Sequence, residues 1–252
     1  MLPAHFNPTG RPLVWAHRGA SAEAPENTVA AFSLALAQGA DGIELDAQRC
    51  ASGQVIVLHD ESLLRTTGFG ALVTDASYSV VRTLDAGSWK SERFRGERIP
   101  LLAEALEAFP GLVNVELKCD RRDDGGLTAE VVHVVRAARA EERVLLSSFN
   151  PMCLWRARFL APEIVRALLF ESEQRWAFRS AIVAPLLDAS AMHPEHVLAT
   201  PERVRRWRRR GYSVACWTVD DPEIAARLHD SGVGAIFTNR PALMRTRWPG
   251  SA

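Results

Sequence analysis

Seven side chains in the first half of the sequence stand at the edges of apolar runs, where a hydrophobic core has no use for them. They are His17 and Arg18 in W-A-H-R-G, Glu44 and Asp46 in G-I-E-L-D, His59 in V-L-H-D, and Glu116 and Lys118 in V-E-L-K. Three carboxylates gathered within a few ångströms repel by roughly 4 kcal/mol per close pair at an effective dielectric of 20, so their convergence calls for a counter-charge. A divalent cation is the simplest one, and an all-oxygen ligand set favours a hard ion, Mg²⁺ or Ca²⁺, over zinc. With the dication and the two basic side chains the site is net positive and attracts an anionic phosphodiester; without it the site is net negative and repels one. Two imidazoles, titrating at about 6.5 when unperturbed, supply the proton acceptor and the proton donor that cleavage of such an ester needs.

The spacing says how these groups meet. Ile43, Leu45 and Ala47 alternate with Glu44, Asp46 and Gln48, so a strand here places both carboxylates on one face. Glu116 and Lys118 are likewise two apart. The turn signal Ala51-Ser52-Gly53 and the following run Gln54 to His59 predict a hairpin. Centred on Ser52-Gly53, it sets His59 opposite Asp46 and Glu61 opposite Glu44.

Stepping outward, eight strand-like runs alternate with helical periodicity: Leu13 to Ala16, Gly42 to Ala47, Leu112 to Leu117, Arg143 to Ser147, Val165 to Leu169, Ala189 to His193, Ser213 to Trp217 and Ala235 to Thr238. Helices are expected over Thr28 to Gln38, Ala103 to Phe109, Thr128 to Ala140, Pro151 to Leu160 and Pro222 to Asp230, the last opened by Asp221-Pro222. The pattern is that of an α/β fold, a TIM (β/α)8 barrel, in a single domain spanning residues 1–252. One connection is oversized. The insertion after the second strand, at about 52–108, would emerge at the carboxyl rim and cover substrate. Polar groups fall at the expected strand ends: His193 after the sixth, Trp217 after the seventh as an apolar wall for the organic part of a substrate, and Thr238-Asn239 after the eighth.

The composition narrows the partners. Thirty Lys and Arg balance thirty Asp and Glu, which removes the broad field of a nucleic-acid binder. No apolar run reaches the roughly 18 residues of a membrane span, and Met1 to Arg11 lacks the basic and apolar regions of a signal peptide. A cytoplasmic protein without stable membrane association is expected. The arginine run Arg203 to Arg210 reads as a solvated helix face. Cys50, Cys119, Cys153 and Cys216 form no C-x-x-C pair and should be reduced and mostly buried; Cys119 follows the Glu116 and Lys118 pair, but the reading as a small apolar filler is favoured over one beside the site.

With H-R-G at His17, P-E-N-T at Pro25, G-x-E-x-D at Gly42, V-x-H-D at Val57, L-D-A-G-S-W at Leu84, V-E-L-K at Val115, Trp217 and G-A-I-F-T-N-R-P at Gly234, the chain resembles the bacterial glycerophosphodiester phosphodiesterase family along nearly its whole length. The resemblance implies metal-dependent hydrolysis of glycerophosphodiesters, such as glycerophosphocholine or glycerophosphoethanolamine, to sn-glycerol 3-phosphate and an alcohol. It implies His17 and His59 as the acid-base pair and Glu44, Asp46 and Glu116 as ligands of one divalent cation. Arg18 and Lys118 would then hold phosphate, with Glu26 and Asn27 supporting the site. The family commonly has T-D-x-P at the last strand end, where this chain has Asn239. A sphingomyelinase D-like lyase and a non-catalytic binder of glycerophosphodiesters are the alternatives. The first would normally go with secretion and disulfides, and the intact histidines and acids argue against the second.

Overall fold

The computed structural model describes residues 3, 6, 10–174 and 182–249, so much of the N-terminal segment read above lies outside them. Nine strands form one sheet: β1 (Leu13–His17), β2 (Gly42–Arg49), β3 (Val55–Val57), β4 (Leu112–Leu117), β5 (Val144–Ser148), β6 (Val165–Phe170), β7 (Ala191–Pro194), β8 (Ser213–Cys216) and β9 (Ala235–Thr238). All but β3 are parallel, and β1 pairs with both β2 and β9, so eight strands close into a barrel. The helices α1 (Val29–Ala37), α2 (Leu102–Ala108), α3 (Leu127–Ala137), α4 (Pro151–Leu160), α5 (Pro201–Arg209), α6 (Pro222–Asp230) and α7 (Pro241–Arg247) lie between and after the strands, as in a TIM barrel. Among the described residues no helix is long and apolar enough to cross a membrane.

Local chemistry accounts for the boundaries. Thr28 caps α1 by accepting from Ala31 N, Asn150 caps α4, and Asp221 caps α6, each ahead of a good helical register. Pro stands at the start of α4, α5, α6 and α7, where its missing N–H costs nothing. In α5 only Val204 and Trp207 are buried while arginines fill the outer face, which explains the run Arg203 to Arg210.

The pleat sorts each strand into an outer and a lumen row. Val14, Ile43, Leu45, Val113, Val115 and Leu146 pack outward beneath the helices. Leu13, Trp15, Leu145, Ala167, Ala191, Ala215, Ala235 and Phe237 fill the lumen floor. Gly42 sits beside Trp15 in register; a Cβ there would fall 2.7 Å from the indole ring and 2.9 Å from the Leu112 carbonyl. The lumen rows that begin on this floor continue to His17, Glu44, Glu116 and Trp217 at the carboxyl end.

The hairpin forms, but one residue out of the expected register. Ala47 faces Val57, Gln48 faces Ile56 and Arg49 faces Val55, so Leu58, not His59, donates its N–H to the Asp46 carbonyl. The turn is one residue longer than one centred on Ser52-Gly53, because Cys50 N–H binds the Gln54 carbonyl and leaves Ala51, Ser52 and Gly53 as the loop, closed by Gly53 N–H on the Cys50 carbonyl. Pairing ends at Val57, and His59 is placed by the chain that leaves the strand. The oversized connection has its own apolar cluster of Ile56, Leu58, Leu63, Val73, Val81 and Ile99, and rejoins the barrel where Val57 N–H meets the Pro100 carbonyl.

Candidate active site

A cavity of about 330 Å³ opens at the carboxyl end of the barrel, lined by His17, Arg18, Glu44, His59, Glu116 and Lys118 together with Asn114, Phe149, Glu171, Phe237 and Trp217. All seven side chains singled out from the sequence gather here, Asp46 lying just beneath, 1% exposed.

Glu44, Asp46 and Glu116 each offer an oxygen, and these atoms lie within 4.8 Å of one another. Burial and the neighbouring Asp46 and Glu116 charges push the Glu44 carboxyl well above its ordinary range. Burial pushes Glu116 up to about 7 even against the pull of Lys118, whose Nζ is 3.1 Å away. Asp46 behaves oppositely. Burial raises it, but Arg18, Lys118 and His59 pull it below the ordinary value, Arg18 Nε standing 3.4 Å away. Glu44 Oε1 and Asp46 Oδ1 are buried without a hydrogen-bond donor. Two bare oxygens and two reluctantly ionised carboxyls are what a divalent cation would satisfy, so the donor set fits a hard ion.

The supporting residues are placed by backbone that few residues adopt. Arg18 and Asn27 have φ of 55° and 59°, and Asn27 N–H binds the Arg18 carbonyl. In this conformation Asn27 Nδ2 donates to Asp46 Oδ2 at 2.8 Å and its Oδ1 accepts from Asp46 N. Arg18 N–H donates to Glu44 Oε2 at 2.9 Å. Such strain is held where packing over-determines it and clusters at functional sites. Glu26 accepts from Arg18 at 3.0 Å and from both arms of Arg65. These cations outweigh burial and keep it below the usual carboxylate range.

The two histidines differ. His17 Nδ1 is 2.8 Å from Asn239 Oδ1, and its Nε2 stands 3.9 Å from Glu44 Oε2. Burial, reinforced by Arg18, lowers its pKa to about 4, so the ring is neutral. His59 Nδ1 is 2.8 Å from Asp60 Oδ1, and Asp60, bonded to Arg65 and His59, is pulled down to about 2 and is ionised. Burial lowers His59 as well, while Asp46 and Asp60 oppose that shift.

Trp217 lies just past β8, its ring edge-on to Phe149 with centroids 5.5 Å apart and its Nε1 donating to the His193 carbonyl. It lines the cavity beside Phe149. His193 does not reach the cavity; it is buried against Phe237 with its Nδ1 unpartnered, and burial lowers its pKa to about 3. Cys119 lines the rim, and all four cysteines are free. Sequence reasoning gave no role to Asp60 and Arg65, to Glu171 on the cavity wall, or to Asp220, which lines a neighbouring pocket with His17, Arg18 and Asn239. Asp60 was legible within V-L-H-D; Asp220 was masked by its neighbour, since the pair Asp220-Asp221 reads only as a helix start.

The profile of the Glycerophosphoryl diester phosphodiesterase family matches residues 17–243. A glycerophosphodiester phosphodiesterase of Caldanaerobacter subterraneus subsp. tengcongensis is 37% identical over 232 residues, 91% of this chain and 94% of its own length. A phosphodiesterase of Oleispira antarctica, solved in complex with the product sn-glycerol-3-phosphate, superposes with a TM-score of 0.85 at 32% identity over 94% of this chain and 96% of its own. A glycerophosphodiester phosphodiesterase of Agrobacterium tumefaciens does so with a TM-score of 0.80 at 32% identity, covering 93% and 99%.

Proposed function

The chain belongs to the glycerophosphoryl diester phosphodiesterase family, a family of enzymes, and from that premise we propose that it hydrolyses glycerophosphodiesters such as glycerophosphocholine and glycerophosphoethanolamine to sn-glycerol 3-phosphate and an alcohol, through His17, His59 and a divalent-metal site. The observation that carries this reading is the meeting of two histidines, three carboxylates and two cations around one cavity.

Glu44, Asp46 and Glu116 are the residues that would hold Mg²⁺ or Ca²⁺, and a cation held there would supply Lewis-acid polarisation of a phosphate oxygen. Arg18 and Lys118, ion-paired to those carboxylates, present the remaining positive charge to the phosphate. His17 is neutral and has its Nδ1 engaged by an amide oxygen, so Nε2 is free to accept the proton of the attacking hydroxyl, of water or of the glycerol moiety itself. His59, backed by the ionised Asp60 carboxylate and less buried, is the ring better able to carry a second proton and deliver it to the leaving alkoxide. Trp217 and Phe149 offer the apolar face against which the carbon skeleton rests. The insertion at about 52–108 contributes His59 and, through Trp89 and Lys90, walls a neighbouring cavity of about 320 Å³ that shares His17 and Arg18. We read it as the subdomain that covers the glycerol end, within a single catalytic domain.

The test is release of glycerol 3-phosphate from both substrates after EDTA treatment and after return of Mg²⁺, Ca²⁺ or Mn²⁺. Release restored by metal is the expected result. A cyclic phosphate as end product would transfer the assignment to a lyase, and no turnover with any ion would overturn it.

A further inference from the structure

Asp220 stands in the loop between β8 and α6, and its carboxylate takes no part in capping that helix, a task left to Asp221. It faces the end of β9 instead. Its Oδ1 accepts from Thr238 Oγ1 at 2.8 Å and from Asn239 N at 2.7 Å, and its Oδ2 accepts from Asn239 Nδ2 at 2.7 Å. A carboxylate can only accept, so the face of the Asn239 amide turned to Asp220 is the NH₂. The opposite face, 2.8 Å from His17 Nδ1, is therefore the oxygen, which also receives the Ser21 hydroxyl at 2.9 Å. An amide oxygen has no proton to give. Nδ1 of His17 must carry one, so in the neutral ring Nε2, on the side of Glu44 and the cavity, is the bare nitrogen.

We infer that Asp220 is a positioning residue: through Asn239 it fixes the His17 tautomer that has Nδ1 protonated and Nε2 free to accept a proton. The carboxylate that orients this ring thus lies one link behind it, across the amide at position 239. The ring is held in its working form by a neutral contact, so the dipole of the contact, not a charge on it, selects the tautomer. This rests on the reading of His17 as proton acceptor.

The experiment compares Asp220→Asn, Asn239→Asp and the double variant Asp220→Asn/Asn239→Asp by ¹⁵N NMR of the His17 ring at neutral pH and by kcat and KM on glycerophosphocholine. In Asp220→Asn either amide can turn over, so the Asn239 NH₂ can face Nδ1. The His17 signals should then show protonated Nε2, and kcat should fall about tenfold to hundredfold with KM within about threefold. Asn239→Asp alone brings two carboxylates together and should also be impaired. The double variant puts a carboxylate directly on Nδ1–H and an amide behind it, and should recover the wild-type tautomer and kcat to within about threefold. If Asp220→Asn folds poorly, the double variant carries the comparison, because it restores the donor and acceptor at both positions.

An unchanged His17 tautomer with unchanged kcat in Asp220→Asn overturns the inference, as does a folded double variant no more active than the single one. The NMR readout does not depend on turnover. A tautomer shift in Asp220→Asn with no substrate cleaved by the wild type would sink the hydrolytic reading and leave this inference standing.

Discussion

Replacing Glu116 by Gln should make the metal-free protein more stable and remove most of the stabilisation that a bound metal gives the wild type. Its carboxyl is displaced from 4.5 to about 7 by burial and by Asp46, after the attraction of Lys118 has been counted. A raised acid destabilises the fold only where it is ionised. The penalty is therefore absent below the unfolded value near 4.5, grows through the interval up to about 7, and is complete above it. At 1.36 kcal/mol per unit this amounts to about 3 kcal/mol at pH 8 and below about 1 kcal/mol at pH 5. Coulomb's law gives the same order independently, since two charges 4.8 Å apart repel by about 3.5 kcal/mol at an effective dielectric of 20. Gln keeps the shape and removes the charge. In EDTA at pH 8 the variant should melt roughly 6–12 °C higher than wild type, and at pH 5 by no more than a few degrees. Saturating Mg²⁺ or Ca²⁺ at about 100 Kd should add about 2.7 kcal/mol to the wild type and little to the variant. Calorimetry at both pH values, with and without metal, decides the matter. A variant less stable than wild type in EDTA at pH 8, or one with an undiminished metal-induced shift, would refute the picture of three carboxylates held in mutual repulsion until a cation arrives.

Alanine at His17 or at His59 should lower kcat at least about a hundredfold with the fold intact, and Asp60→Asn should cost about tenfold by releasing His59 and Arg65 together; steady-state turnover within tenfold of wild type for either alanine variant would dismiss the acid-base pair. Gly19→Ala should destabilise by about 2 kcal/mol or more in urea unfolding, because φ is +82° and the new Cβ would lie 2.6 Å from Ala31 Cβ and 2.7 Å from its backbone carbon. Trp217→Ala should raise KM about tenfold, the equivalent of about 1.4 kcal/mol of apolar contact, with kcat less affected; an unchanged KM for glycerophosphocholine would remove Trp217 from the substrate wall.

The placement of the charged groups was legible because it depends on a single periodicity. Once Ile43, Leu45 and Ala47 are committed to the outer layer, Glu44 and Asp46 have nowhere to go but the lumen, and the same holds for Glu116 beside Val115 and Leu117. Thr28, Pro151 and Pro222 marked the starts of α1, α4 and α6 for equally local reasons. The hairpin register was not local. Which residues face each other depends on how the turn closes, and the Cys50 and Gln54 pairing shifted it by one. His59 reached the site all the same, since it lies beyond the last ladder pair and is positioned by Asp60 and Arg65. Asp220 was invisible for a different reason: its partner Asn239 is 19 residues away, and only the closing of β8 against β9 brings them together.

The arrangement resolves a conflict that three buried acids pose for an anionic substrate. Arg18 cannot serve the phosphate and also neutralise Glu26 unless Glu26 has a second cation, and Arg65 supplies it from the insertion through two hydrogen bonds. Arg65 in turn binds Asp60, which holds His59. One exposed arginine thus ties the orientation of a ring on the insertion to the charge state of a loop on β1. The insertion is tied to the β1 loop by this ion-pair chain and, beside it, by Lys90 Nζ and Arg93 donating to the Ser21 and Glu23 carbonyls, so the charges at the rim and the placement of His59 share one set of contacts.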